Sequence, residues 1–431
     1  MKPSPAQSSE QRRTAGSSLV ARAVFFVFVL CVLASGLYFA SRSGSNAGVY
    51  SNDFNVYYYA SREIVAGRDP YEHSLGAWTP YLYPPLLAEL LVPLALLPLP
   101  LAAYLWFLIN AVSVIAAAWL SVSLASDQDK RDTVLSRRIA ETASSRMVLA
   151  ACSVAIVFRF VLDTLDLGQV NAVVAALAVA HLYLYARDRK ALSAVALVFA
   201  ISIKLTPAVL IVYHIAKFRL RFALTCGALL VALTVMSFVP FGASGLNAFN
   251  SFVNRTIRNE QGYDFAYAGN QSLRGAVARL IVGNEGSLSD PNENRLPSES
   301  VTVLASIALL AIATFAAVRA QGELAGAAAF VCCMVLLSPL SWKAHFIVLI
   351  LPLSYVLSRM RSATGAERLL IGASLIASFA LFNLTSPRII GLTAAEWADG
   401  QSLVFAGALL IFFCCAATAI RRKFGKQAGV C

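Results

Sequence analysis

Twelve apolar runs divide this 431-residue chain, at about 19–40, 101–124, 147–163, 170–186, 191–203, 207–218, 220–239, 301–318, 323–340, 344–358, 368–386 and 401–420. A helix that crosses a bilayer needs about 20 predominantly apolar residues, and in lipid such a run can satisfy its backbone only as a helix or in a closed barrel. Hydrophobic residues make up 58% of the chain and charged ones 13%, where soluble domains carry roughly 25% charged. A water-soluble globule is therefore excluded. The expected fold is all-α: a polytopic membrane protein of about 12 helices (10–12).

The net charge of +12 acquires meaning only once it is distributed over the loops. With the first residue placed in the cytoplasm, alternate loops collect 23 of the 35 Lys and Arg residues but only 8 of the 23 acids, so one face carries +15 and the other −3. Such asymmetry is the positive-inside pattern. It expects a plasma (inner) membrane protein with both termini cytoplasmic, and it leaves nucleic-acid binding without support. Residues 1–18 read as a disordered cytoplasmic tail, 19–420 as a single transmembrane domain and 421–431 as a basic cytoplasmic tail. The first run follows Arg12, Arg13 and Arg22 and loosely resembles a signal peptide, but its length favours a retained anchor.

Two extracytoplasmic loops are long, 41–100 and 240–300, and loops of that length usually have a task. The first contains Tyr83-Pro84-Pro85 and then an apolar stretch, 86–97, too short to span and broken by Pro93, which reads as a helix at the outer interface. The runs 191–203 and 207–218 are separated by Lys204-Leu205-Thr206-Pro207. They are one broken helix, two helices or a re-entrant pair.

Chemistry-bearing residues gather at the expected outer helix ends. Asp53 starts about ten residues beyond the first run; a carboxylate there can act as a general base toward a hydroxyl or can cap the helix that follows it. Gln169 and Asn171 flank a turn, Lys204 opens the break before Pro207, and Lys343 and His345 follow Ser338-Pro339-Leu340-Ser341-Trp342. Cations at membrane depth are costly, so several at one leaflet suggest an anionic ligand such as a lipid phosphate, although a lysine can also snorkel. Asn270 and Gln271 can hydrogen-bond sugar hydroxyls or cap a helix. Tyr57 and Tyr83 belong to an aromatic group suited to headgroup depth. His181 and His214 read as lone packed histidines. The eight cysteines lie in apolar runs or at the last residue and read as core. No GxxxxGK[ST], HExxH or CxxC motif occurs, which leaves nucleotide-triphosphate and zinc chemistry unsupported.

Taken in order, Asp53-Phe54-x-Val56-Tyr57-x-x-Ala60, Gly67-Arg68-Asp69-Pro70-Tyr71, Tyr83-Pro84-Pro85, Gly168-Gln169-Val170-Asn171, Lys204-x-x-Pro207, Asn270-Gln271-Ser272 and Ser338-Pro339-x-Ser341-Trp342-x-x-His345 resemble glycosyltransferase family 87. These are membrane enzymes of the GT-C class, and the family includes a mycobacterial mannosyltransferase acting on phosphatidylinositol mannosides. The resemblance implies a GT-C fold and transfer of a hexose, usually mannose, from a polyprenyl-phosphate donor to a lipid or glycan acceptor on the extracytoplasmic side, without nucleotide sugar, metal or other cofactor. It implies Asp53 as general base and Lys204 and His345 at the donor phosphate; beside these, the reading of the residues themselves adds Lys343 to the phosphate group and expects Gln169, Asn171, Asn270, Gln271, Tyr57 and Tyr83 as substrate-binding residues. Relatives often carry paired histidines after Ser-Trp, where this chain has Ala344-His345. A transporter or flippase of lipid-linked sugars is the alternative; it would place ionisable groups near the midplane and show repeated halves.

Overall fold

The computed structural model describes residues 27, 29–43, 52–71, 81–132, 143–258, 264–282 and 295–421. The expected tail 1–18 and nearly all of the expected tail 421–431 lie outside these residues. No strand occurs among them. The helices are α1 (Val29–Ser43), α2 (Asp53–Val65), α3 (Pro85–Leu90), α4 (Val92–Ala95), α5 (Leu99–Asp132), α6 (Ala143–Ile156), α7 (Phe158–Leu167), α8 (Asn171–Ala186), α9 (Lys190–Ile203), α10 (Val209–Ala216), α11 (Leu220–Phe238), α12 (Gly245–Phe252), α13 (Leu273–Val282), α14 (Arg295–Arg319), α15 (Glu323–Leu336), α16 (Ile350–Ser362), α17 (Gly365–Phe379), α18 (Pro387–Ile390), α19 (Leu392–Gly400) and α20 (Leu403–Arg421).

Among the described residues six apolar helices are long enough to cross a membrane, α6 and α7 together make a bent apolar pair of comparable length, and five more apolar helices are shorter. These segments fall on the twelve runs read from the sequence, and the all-α polytopic fold follows. The most buried of them is α15, in which every residue after Glu323 is buried. A helix apolar all round belongs in the middle of a bundle, and α15 packs on α14, α16, α20 and α10. Its Ala325-Gly326-Ala327-Ala328-Ala329 stretch lets neighbouring backbones come close.

Two breaks shape the end of the bundle that carries Asp53 and Lys204. Between α6 and α7 the axis turns by 70°, which frees backbone groups that lipid cannot satisfy. Asn383 takes up both: its Oδ1 accepts from Arg159 N (3.2 Å) and its Nδ2 donates to Ile156 O (2.8 Å). The second break removes one of the alternatives left open for residues 191–218, a single broken helix. Lys204 is extended, Pro207 opens a short 3-10 turn, and α9 and α10 are separate helices returning to the same end, because Ser193 near the start of α9 and His214 near the end of α10 both bond His181. Lys204 therefore sits at the tip of a helical hairpin. In the first long loop, α3 begins at Pro85 and α4 holds Pro93, and both short helices pack on α2.

Candidate active site

Asp53 is the first residue of α2 but not its cap. Asn52 is the cap, its Oδ1 accepting from Asn55 N at 3.0 Å, so capping α2 does not fall to Asp53. Next to it comes the turn between α7 and α8. Gly168 ends α7 in the left-handed region (φ 63), and a Cβ there would lie 2.7 Å from Phe39 Cζ and 2.8 Å from Phe54 Cβ. Only glycine allows this turn to lie against α1 and α2. Trp106 Nε1 fastens it by donating to Gly168 O (2.7 Å).

That approach brings the Gln169 side chain beside the Asp53 carboxyl. Burial raises the Asp53 carboxyl above its ordinary range, while the Gln169 amide and the nearby Lys204 ammonium pull the other way. From Gln169 the polar chain continues. Asn171 Nδ2 donates to Gln169 Oε1, and Lys204 Nζ donates to Asn171 Oδ1 (2.7 Å) and to His345 Nε2 (2.9 Å). An ammonium can only donate, so His345 is neutral, with its proton on Nδ1. The third N–H of Lys204 has no hydrogen-bond partner among the described residues.

Gln169, Asn171, Lys204 and His345 thus form one hydrogen-bonded chain, with Asp53 beside its Gln169 end. A small cavity of about 10 Å³ opens on its far side, lined by Asn171, Lys204, Thr206 and His345 with Met334 and Val335 among its apolar walls. Tyr83 closes the near side, its ring centroid 5.5 Å from Lys204 Nζ, and accepts from Tyr57 OH at 2.9 Å. Tyr57 is fully buried against Trp106.

The remaining sequence candidates are placed elsewhere. Lys343 is ion-paired with Asp399 of α19. Asn270 is buried, its Nδ2 donating to Phe265 O and Pro339 O (both 3.1 Å) and its Oδ1 accepting from Ser272 N (3.2 Å) and Ser341 N (3.0 Å). Gln271 is buried too, donating to Ala268 O (2.7 Å) and Asp399 O (2.8 Å) and accepting from Phe405 N (3.3 Å). The two amides pin residues 264–282 onto the Ser338–Trp342 turn and α19. His181 and His214, read as lone, are bonded to each other through their Nε2 atoms at 3.0 Å. Sequence reading missed Asp399 and the capping role of Asn52; for the latter the signal was the Asn-Asp pair itself, two strong capping residues in succession. Among the described residues no three His, Cys, Asp or Glu side chains gather as a metal-ligand set.

Comparison with known proteins adds an independent line. The profile of glycosyltransferase family 87 matches residues 81–339, a span that contains Gln169, Asn171 and Lys204, with Asp53 and His345 beyond its two ends. A Mycolicibacterium smegmatis protein named as a polyprenol-phosphate-mannose-dependent alpha-(1-2)-phosphatidylinositol mannoside mannosyltransferase is 29% identical over 362 residues, covering 79% of this chain and 77% of its own. A second protein from that organism, named as the corresponding pentamannoside mannosyltransferase, is 29% identical over 293 residues, 68% of this chain and 64% of its own. A Mycobacterium tuberculosis protein of the same pentamannoside name is 27% identical over 271 residues, 63% and 57% of the two chains.

Proposed function

Because this chain belongs to glycosyltransferase family 87, we propose that it transfers a hexose, mannose in the simplest case, from a polyprenyl-phosphate donor to a lipid or glycan acceptor, with Asp53 as general base. The observation that carries this reading is the convergence of the Asp53 carboxyl on the hydrogen-bonded group Gln169, Asn171, Lys204 and His345. Glycosyl transfer develops oxocarbenium character at the sugar and negative charge on the departing oxygen. It therefore needs a proton acceptor on one side of the sugar and a cation on the other, and the chain supplies both.

In this reading Lys204 offers its third N–H to the donor phosphate and stabilises the charge that grows there. Asn171 and His345 aim it, each taking one of its other protons. Asp53 removes the acceptor hydroxyl proton as that oxygen bonds to the sugar. Its raised basicity suits the task, because a carboxylate pushed above its usual range is the stronger base. A cavity of about 10 Å³ has room for about one water, so the donor must widen it in order to bind. The loop charges support an extracytoplasmic site in a plasma membrane with both termini in the cytoplasm.

The test uses purified protein, polyprenyl-phosphate [¹⁴C]mannose and total membrane lipid. Wild type should label lipid, and Asp53→Asn should lower the rate about 10²- to 10⁴-fold without loss of folded protein. Equal labelling by the two proteins would remove Asp53 as the base.

A further inference from the structure

The side chain of Asn52 makes two bonds at once. Its Oδ1 caps α2 by accepting from Asn55 N (3.0 Å), and its Nδ2 donates to Ser43 Oγ (2.8 Å) at the last residue of α1. Asn52 is 7% exposed and Ser43 fully buried. One amide therefore ties the start of α2 to the end of a membrane helix and also fixes where α2 begins.

That choice of starting residue has chemical consequences. Asp and Asn cap helices about equally well, so at Asn52-Asp53 two adjacent residues compete for one role. Whichever residue caps, its side chain is folded back onto its own helix. With Asn52 capping, Asp53 keeps its oxygens for Gln169 and for whatever enters the site. Were Asn52 unable to cap, the helix could restart one residue later, and the Asp53 carboxylate would turn to the N–H groups of α2.

We propose that Asn52 is a positioning residue for Asp53: it occupies the capping role so that the neighbouring carboxylate stays free, and it does so with a side chain that carries no charge. This rests on the reading of Asp53 as the base. The charged and titratable groups around Asp53 are the Lys204 ammonium from the α9–α10 tip, with His345 behind it, Tyr57 on α2 itself, and the Arg42–Asp166 ion pair that joins α1 to α7 (2.6 Å). Only Lys204 is an unpaired cation among them, so a second carboxylate at position 52 would meet Asp53 with little to offset it.

Three variants separate positioning from simple support of the fold. Asn52→Asp keeps the cap and can still bond Ser43, so folding should be unaffected; the added charge should move the acid limb of the kcat/KM profile for mannose transfer up by about one pH unit. Asn52→Ala removes the cap and should lower kcat about tenfold with little change in KM for the donor, which Lys204 holds. Asn52→Ser, a capping residue, should recover most of that loss. A wild-type pH profile for Asn52→Asp, or a loss in Asn52→Ala seen in the yield of folded protein and not in kcat, overturns the proposal. An active Asp53→Asn would instead strike the reading beneath it, so the two failures can be told apart.

Discussion

Each end of the helical bundle buries a polar network among apolar helices, and the two differ in how their charged groups are paired. At the end opposite Asp53, Arg219 grips both oxygens of Glu323, Tyr213 OH donates to the same carboxylate (2.7 Å), and Lys217 donates to Ala317 O (3.0 Å). His181 and His214 bond each other, and the His181 Nδ1 proton is taken by Ser193 O (3.1 Å). The His214 ring is packed among Phe222, Tyr185 and Tyr213, with centroids 4.5–5.0 Å away. The Arg219 and Glu323 charges there meet as a direct ion pair. At the Asp53 end a carboxyl and an ammonium are held apart by the neutral Gln169 and Asn171 side chains, and the ammonium keeps one N–H without a hydrogen-bond partner among the described residues. Burying charge without direct pairing is costly, and a bundle retains such an arrangement where a ligand completes it.

The sharpest way to break this contrast is Lys204→Met. If the lysine serves the ligand, transfer falls about 10²- to 10³-fold, the usual cost of removing one group that stabilises transition-state charge. Stability should move by no more than about 1 kcal/mol, since an apolar side chain relieves a desolvated ammonium while Asn171 loses one donor. Thermal unfolding in detergent beside the mannose-transfer assay reads both. A variant that fails to fold would make the Asp53 end structural, like its counterpart.

Glu323→Gln tests the closed end. Arg219 is left without its carboxylate while both side chains are about one-fifth exposed, and breaking a buried pair on one side costs about 3 kcal/mol. The unfolding temperature should fall, and kcat of the protein that stays folded should not change. Replacing both partners, Arg219→Met with Glu323→Leu, should restore most of the stability. A large drop in kcat would mean that the two networks are coupled through α15.

This contrast also explains what could and could not be read from the sequence. The helical segments were legible because lipid imposes length and apolarity on each one separately, and the break at Lys204 was legible because Pro207 acts locally. Long-range partners were not. Gln169 with Asn171 and Asn270 with Gln271 look alike as amides beside turns, yet the first pair lies in the chain to Lys204 and the second is consumed by backbone groups, one of them on α19, more than a hundred residues on. Lys343 and Lys204 look alike as lysines beside prolines, and only folding shows that Asp399, 56 positions away, pairs with one of them. His181 and His214 looked solitary because their partnership crosses three helices. At Asp53 the difficulty was local: two capping residues stand in succession, and sequence alone does not decide which one caps.

Glu89 on α3 gives the smallest effect and marks how far the open character of the Asp53 end extends. Burial lifts its carboxyl to about 7, with the Ser237 hydroxyl of α11 acting the other way. The folded state thus holds this proton more tightly than the unfolded chain, whose carboxyl titrates near 4.5. Stability is full below pH 4.5, is lost as pH rises toward 7, and stays reduced above it. Glu89→Gln imitates the protonated acid, so it should match wild type at pH 4.5 and exceed it at pH 8. The gain should be under about 1 kcal/mol, because the side chain is only partly buried and water screens it. Melting curves at the two pH values measure it. A gain at pH 8 with unchanged transfer would confine the site to the group from Asp53 to His345, whereas a loss of transfer would extend it to α3 and its contact with α11.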